Sequence, residues 1–597
     1  MFTRIACLVA LLFLSGCGLS GKSEETLPRA APGYLHWLHQ QSMLGKAPEL
    51  IATVSQSHRV WLNSGEGGRP DVLLKAAPNW LDLAVIPDNP QKPFFRELTA
   101  EVANAGRMGF GGVYLGQTGE KADVWVSRDG KGSSRKPVSF AFDAAFGSDA
   151  DFEKLAGEAE ASNLQLGSDF LAGATGRGPD FFLQARNASE HGGLYAMLPV
   201  PDDAEELLSL THEEWDSEEI TPRLVSDLAA KGILPGDIAR DGVVWTSKGG
   251  WACTGPVLGA DGKPRRWLYR YSETPDQPVL SWQDPSGQTA RVISAAAIRQ
   301  TGLLGETLAG LSFEPLMGLD PGKHFSLSPG LAALNETSRQ IHRYGGWAMQ
   351  IDPLPLAAIE EVLRGPCDFC RDDITALLAA FGLVNADGRP IAQLYRDWIA
   401  QGFDVARLAH GFNAAQGLPV RTLLANPEWA PQTQRLSELG SSIKFAQIVK
   451  TIFPEPTDEQ VETVRRFLLT WRLGLPGLAF VEFYPGSLAQ PSDGWLEHLL
   501  LVRRDSGLAC GKIISVTRGR GGALGLLTQL PERKGFWLLA CNFGRMRDEL
   551  VIEAPGPIAS AIDAGDASSL SSGLAGRTFR IGLDGREARN VLLQIKP

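Results

Sequence analysis

Seven cysteines are spread over 597 residues, and no two pairs of them stand at the spacing of a zinc site. A zinc ribbon or finger is therefore not the organising device. No basic run interrupts a formal charge of −11, from 57 basic and 68 acidic side chains. The electrostatic footprint of a nucleic-acid partner is missing, so none is expected. No repeat of solenoid length and no long low-complexity tract occurs. The apolar run from Ile5 to Leu14 is too short to span a bilayer as a mature helix. What remains is ordinary globular composition in a chain long enough for several domains with large cores.

Residues 1–17 read as a targeting segment. Arg4 supplies the positive start, Ile5 to Leu14 the apolar core, and Leu14-Ser15-Gly16-Cys17 a lipobox. The expectation is a lipoprotein signal peptide and lipidation at Cys17. The chain would then be anchored in the bacterial cell envelope through acyl chains. Gly18 after the cysteine favours the outer membrane or periplasmic face. Residues 18–77 follow as a polar tether and a helical preface, in which His36 and His39 are expected to pack rather than bind metal. Cys367-x-x-Cys370 is a lone pair, so a disulfide and two thiols both stay open. Cys253, Cys510 and Cys541 read as small buried residues.

The most informative stretch is residues 146–186. Phe152, Leu155, Ala156 and Ala159 recur at helical spacing over 149–161, with Ser148 placed as N-cap. Residues 164–171 then suit a buried strand that carries Asp169 near its C-terminal end. Helix, turn and strand with a polar tip make one step of a β/α barrel, whose chemistry sits at the C-terminal ends of its strands. Residues 80–86, 108–115, 310–317, 347–352 and 475–482 supply further strands, and 95–105, 290–300 and 461–475 supply helices. The rhythm lapses over about 187–275, in a stretch holding Trp245, Trp251 and Trp267, which either stack on sugar rings or form the core of a small domain. From about residue 491 short alternating strands with Gly-rich turns suggest an antiparallel sandwich. The fold class expected is α/β: a (β/α)8 TIM-type barrel over 78–490, a small domain inserted after strand 3, and a β-sandwich over 491–597.

Phe146-Gly147-Ser148, Asp151-Phe152, Leu155, Asp169, Thr175, Phe181-Phe182 and Ala185-Arg186 fall without a gap on the pattern FGT-x-x-DF-x-x-L…D…WF-x-x-AR. In this the chain resembles the α-amylase superfamily, glycoside hydrolase family thirteen, and most of all its trehalose synthase branch. Residues 277–285 are similar to that family's QPDLNWDNP, 475–482 to its LPGTPVLYYGDE, and 537–543 to its V-x-V-x-N-F strand. The polar motifs depart from the pattern. Residues 130–138 hold no GYD. Gly173-Ala174 replaces the Asn-His pair that often serves a calcium site, so no calcium is expected there. Against GFR-x-D, Glu314 takes the place of the arginine and Leu316 that of the nucleophile. Against LLAEAN, Gln350 takes the place of the acid, with Asp352 two residues on. Asn426-Pro427-Glu428 is the match to NHD.

A retaining glycosidase needs a carboxylate nucleophile and a carboxylic acid about 5–5.5 Å apart. A leucine cannot attack an anomeric carbon, and an amide delivers no proton near neutral pH. The resemblance thus implies an amylase-like protein of carbohydrate metabolism that has lost hydrolysis. Such a protein would bind an α-glucan or disaccharide, with Asp169, Asn426 and Glu428 as candidate contacts, or act as a surface scaffold for a protein partner. The alternative is an active α-glucoside hydrolase or glucosyltransferase with a rearranged site, drawing on Glu314, Asp352 and Glu428. A purely structural envelope protein is the third reading. Asp169 also suits a loop cap, and Glu314 and Glu428 suit solvated rim positions. No cofactor is implied.

Overall fold

A computed structural model describes residues 32–54, 66–83, 92–121, 136–171, 173–188, 190–201, 216–234, 250–282, 286–312, 318–319, 325–326, 328–351, 356–365, 367–411, 418–419, 442–482, 494–533 and 535–595. The segment read as a signal peptide, with Cys17, lies outside them. None of the described helices is long and apolar enough to cross a membrane.

Eight parallel strands close into a barrel: β1 (Asn79–Asp82), β2 (Gly112–Tyr114), β3 (Gln165–Phe170), β4 (Leu308–Leu311), β5 (Trp347–Gln350), β6 (Phe369–Arg371), β7 (Leu408–His410) and β8 (Leu478–Glu482), with β8 returning to β1. Helices connect them: α1 (Phe94–Arg107), α2 (Asp149–Ala161), α3 (Gln288–Ala297), α4 (Ser328–Arg343), α5 (Leu356–Arg364), α6 (Asp373–Asn385) and α7 (Asp458–Leu473), followed after β8 by α8 (Trp495–Ser506). α2 starts where the sequence placed it. Ser148 accepts from the Asp151 amide while Asp151 accepts from the Ser148 amide, a reciprocal capping box that satisfies two orphan donors. α1 buries Phe95, Leu98, Val102 and Ala105 on one face, and Phe95 meets Phe152 of α2 edge-to-face.

The strands sort their side chains by period two. Trp80, Tyr114, Leu308, Trp347, Met349, Phe369, Ala409, Leu478 and Phe480 fill the barrel interior. Residues one step out of phase, such as Leu311, Ala348 and Cys370, join the layer between strands and helices. At the N-terminal end of the barrel, Arg503 of α8 is fully buried. Its guanidinium donates to the carbonyls of Pro78, Leu473, Leu475 and Gly477 and to Asn79 Oδ1, at 2.7–3.1 Å. This one side chain ties the start of β1 to the start of β8 where the barrel closes.

Two strands were not expected. After the helix Arg389–Gln401 the chain enters β7 at Leu408. β6, which the sequence showed only as a cysteine pair, is a barrel strand of three residues, too short for a periodicity signal. Between β3 and α3 lies a small antiparallel sheet of Met197–Pro199, Ser217–Glu219, Trp251–Thr254 and Trp267–Arg270. Trp251 and Trp267 are buried in it and serve as core rather than as sugar platforms, while Trp245 lies outside the described residues. Beyond α8 a five-stranded and a three-stranded antiparallel sheet enclose Leu527, Leu538, Leu550, Ile552, Phe579 and Val591, as a sandwich requires. The preface forms helices Pro32–Gln41, Met43–Thr53 and Pro70–Ala76. It docks through Asp180, which accepts from Ser42 Oγ and from the amides of Met43 and Leu44.

Candidate active site

The C-terminal ends of β1, β2, β3, β6 and β8 bring charge to one mouth. Asp82 ends β1, in register with Tyr114 of β2 and Glu482 of β8. Tyr114 shares the interior with Trp80 and Phe480, and its hydroxyl donates to Asp169 Oδ1 at 2.6 Å. Gly310 of β4 stands opposite Asp169, and any side chain there would collide with the Tyr114 hydroxyl, so glycine is what lets the phenol cross the barrel. Arg371 ends β6. Arg472, near the end of α7, is buried and donates to the Phe480 carbonyl at 2.7 Å.

The charges act on one another. Burial raises the Asp82 carboxyl to about 6; Arg371 and Arg472 oppose the rise and the Asp169 charge adds to it. Burial lowers Arg472 to about 10, while Glu482 and Asp82 favour its cation. Burial, reinforced by Asp169, holds the Tyr114 phenol well above its ordinary value, so it stays a donor. Three carboxylates, two guanidiniums and a phenol at a barrel mouth can hydrogen-bond a hydroxylated ligand through both donors and acceptors.

Of the sequence candidates, Asp169 is at this mouth. Glu314, Leu316, Asp352, Asn426 and Glu428 lie outside the described residues. Gln350 is corrected. It is fully buried and in register with Leu311 and Cys370, and its Oε1 accepts from the Cys370 thiol at 3.2 Å. It therefore faces the helix layer, and the inward residue at the tip of β5 is Ile351, packed on the barrel interior. The reason is period two: aligning β5 one residue out turns the side chain away from the mouth. Among the described residues, the inward positions at the tips of β4 and β5 are thus Gly310 and Ile351, neither of them a carboxylate.

Cys367 and Cys370 are not joined; both are buried thiols. Among the described residues no three His, Cys, Asp or Glu side chains group as metal ligands. The sequence reading missed Asp82, Arg371, Arg472 and Glu482. Two of them had a signal, a charge inside or at the end of an apolar run: Trp80-Leu81-Asp82-Leu83 and Leu478-Ala479-Phe480-Val481-Glu482. Arg472 had none, since its place at the mouth depends on how α7 packs.

Solved structures of α-amylases share this architecture. One, from Geobacillus thermoleovorans and complexed with acarbose, aligns with a TM-score of 0.52 at 13% identity, over 87% of this chain and 97% of its own. An Anoxybacillus α-amylase aligns at 0.51 and 11% identity, over 88% and 99%. The α-amylase from H. orenii aligns at 0.50 and 12%, over 87% and 99%. The chain has the α-amylase fold. At such identities the likeness is one of architecture, and function must be argued from the site. No protein-family model matches the amylase-like chain, and no curated protein matches its sequence.

Proposed function

We propose that this is an α-amylase-like, carbohydrate-binding protein that does not hydrolyse glycosides. It holds an α-glucan or disaccharide at the barrel mouth, where it also suits a role as a surface scaffold for a protein partner. The observation that carries the reading is the inner face of β4 and β5, whose inward residues Gly310 and Ile351 are not carboxylates. The polar groups beside them are engaged with one another, Tyr114 with Asp169 and Arg472 with the Phe480 carbonyl, as fits recognition better than bond cleavage. The trehalose synthase-like sequence pattern makes a disaccharide the first ligand to try. The lipobox at Cys17 supports anchoring in the cell envelope; radiolabelled palmitate incorporated by the full chain and lost in Cys17→Ala tests it.

One observation favours the active alternative. Asp82, with its carboxyl near 6, is partly protonated at neutral pH, as a general acid would be. Turnover decides. Residues 18–597 are incubated at high concentration with maltose, trehalose and an aryl α-glucoside, beside Asp82→Asn and a Glu314→Gln, Glu428→Gln double variant. The expected result is no glucose released or interconverted, with maltose or trehalose binding seen by calorimetry. Turnover that disappears in either variant overturns the proposal and places the carboxylates.

A further inference from the structure

A second cleft opens beside β3, between that strand, the end of α3 and residues 117–119 and 137–142, and Asp169 of the mouth lines its edge. It is a shallow cleft: about 500 Å³ of space lies within its lining, part of it open solvent. Its floor is a closed polar chain. Ser168 points outward from β3 and donates to Glu306 Oε2; Gln300 Nε2 donates to Ser168 Oγ at 2.7 Å. Ser168 and Glu306 are each 1% exposed. Its wall is residues 117–119 and 137–142, where Gln117 and Ala141 line the space beside Phe140. Barrel closure uses none of these groups, and a buried carboxyl at the foot of a cleft is costly unless it is put to use.

The backbone adds an independent sign. α3 does not end as an α-helix but passes into a π-helical stretch, Ile298–Leu303. Such insertions are uncommon and gather at functional sites. This one carries Arg299 and Gln300 to the cleft.

The chemistry selects the ligand. Arg299 is already committed, bidentate to Asp149 and 5.2 Å above the Phe142 ring. Among the described residues the cleft therefore offers no open cation to an anion. Glu306 is hydrogen-bonded to a hydroxyl and faces an amide, with no cationic partner in contact, an arrangement that suits a neutral acid rather than a cation ligand. Serine, glutamine and carboxyl groups beside phenylalanine rings match a neutral ring that bears hydroxyls on its edge and C–H on its face. We propose that this cleft is a binding site for one neutral polyhydroxylated ring, a monosaccharide or cyclitol, lying beside the barrel mouth on the other side of Asp169.

Saturation-transfer NMR on residues 18–597, with glucose and myo-inositol as probes, tests this. Ala141→Trp fills the half-exposed wall of the cleft without touching the polar chain, and Gln300→Leu removes the amide donor. Each is expected to weaken binding of a ring probe by about tenfold or more, with circular dichroism and the melting temperature confirming that the variant is folded. Glu306→Gln, which keeps an uncharged polar group, is expected to hold binding within about threefold. No signal from either probe on the folded wild type overturns the site. A signal that survives both Ala141→Trp and Gln300→Leu belongs to the mouth and overturns it too. Calcium or inorganic phosphate displacing the probe overturns the ligand class. The outcome is independent of what the mouth binds, since disaccharide binding there is read separately by calorimetry.

Discussion

The two ends of the barrel use buried arginine in opposite ways. At the N-terminal end Arg503 faces only neutral oxygens, four carbonyls and one amide. Burial pulls it down to about 9, which leaves it charged at neutral pH. At the C-terminal end Arg371 and Arg472 share their space with Asp82 and Glu482. The first arrangement has its donors spent on four backbone carbonyls and the Asn79 side chain, with nothing to offer a ligand. The second balances charge against charge, and those partners can be exchanged for a ligand's hydroxyls. In a barrel of this kind the lower end sets stability and the upper end is free to vary its chemistry.

The largest test of that contrast is Arg503→Met. It removes the donor from the carbonyls of Leu473, Leu475 and Gly477, while that of Pro78 keeps the Ala479 amide, and each unmet buried acceptor costs about 1–3 kcal/mol. The expected loss is about 4 kcal/mol in urea unfolding, with Arg503→Lys recovering roughly half because an ammonium cannot span the same oxygens. A loss below about 1 kcal/mol would show that the closure does not depend on this side chain.

Next in size is Glu306, low on the outer wall beside β4. Burial raises it to about 7, against the Ser168 and Gln300 hydrogen bonds and the Arg299 charge, which lower it. Its neutral form is the one the fold accommodates. Its contribution to stability is therefore full below the unfolded value near 4.5 and is lost as pH rises through about 7. Glu306→Gln is expected to gain about 2–3 kcal/mol on the wild type between pH 5 and pH 8. A difference that stays flat over that range would place the carboxyl in water.

Asp82 has the same sign at the mouth but keeps part of its surface exposed, so solvent screens the effect. Its contribution is full below about 3.8 and is lost as pH rises through about 6. Asp82→Asn is expected to gain about 1 kcal/mol on the wild type between pH 4 and pH 8. An effect as large as that of Glu306 would mean the mouth is as dry as the wall.

Smallest is Tyr114→Phe. It removes the hydrogen bond to Asp169 and little packing, so stability should fall by about 1 kcal/mol. The informative part is binding. A ligand at the mouth should lose affinity severalfold, whereas a ring probe in the cleft, which touches Asp169 but not Tyr114, should lose less.

Much of the frame was legible in the sequence. Ser148 with Asp151 announced the start of α2, and the apolar runs around Trp80, Leu166 and Phe480 announced three barrel strands, because capping and period are local properties of the chain. Asp169 was legible for the same reason, as a carboxylate at the end of such a run. β6 and β7 were not. Three residues each are too few to show a period, and they become strands because neighbouring strands supply their hydrogen bonds.

The sequence by itself determined where apolar surface had to be buried, hence the order of elements, the inserted sheet and the terminal sandwich. It also showed that no carboxylate stands at Leu316 or Gln350. Only the tertiary structure decided which way each side chain faces. It turned Gln350 to the helices and Ile351 to the mouth, and it brought Arg472 and Arg503 to opposite ends of one barrel. Facing depends on register and closure between segments hundreds of residues apart, and no window of sequence contains both partners.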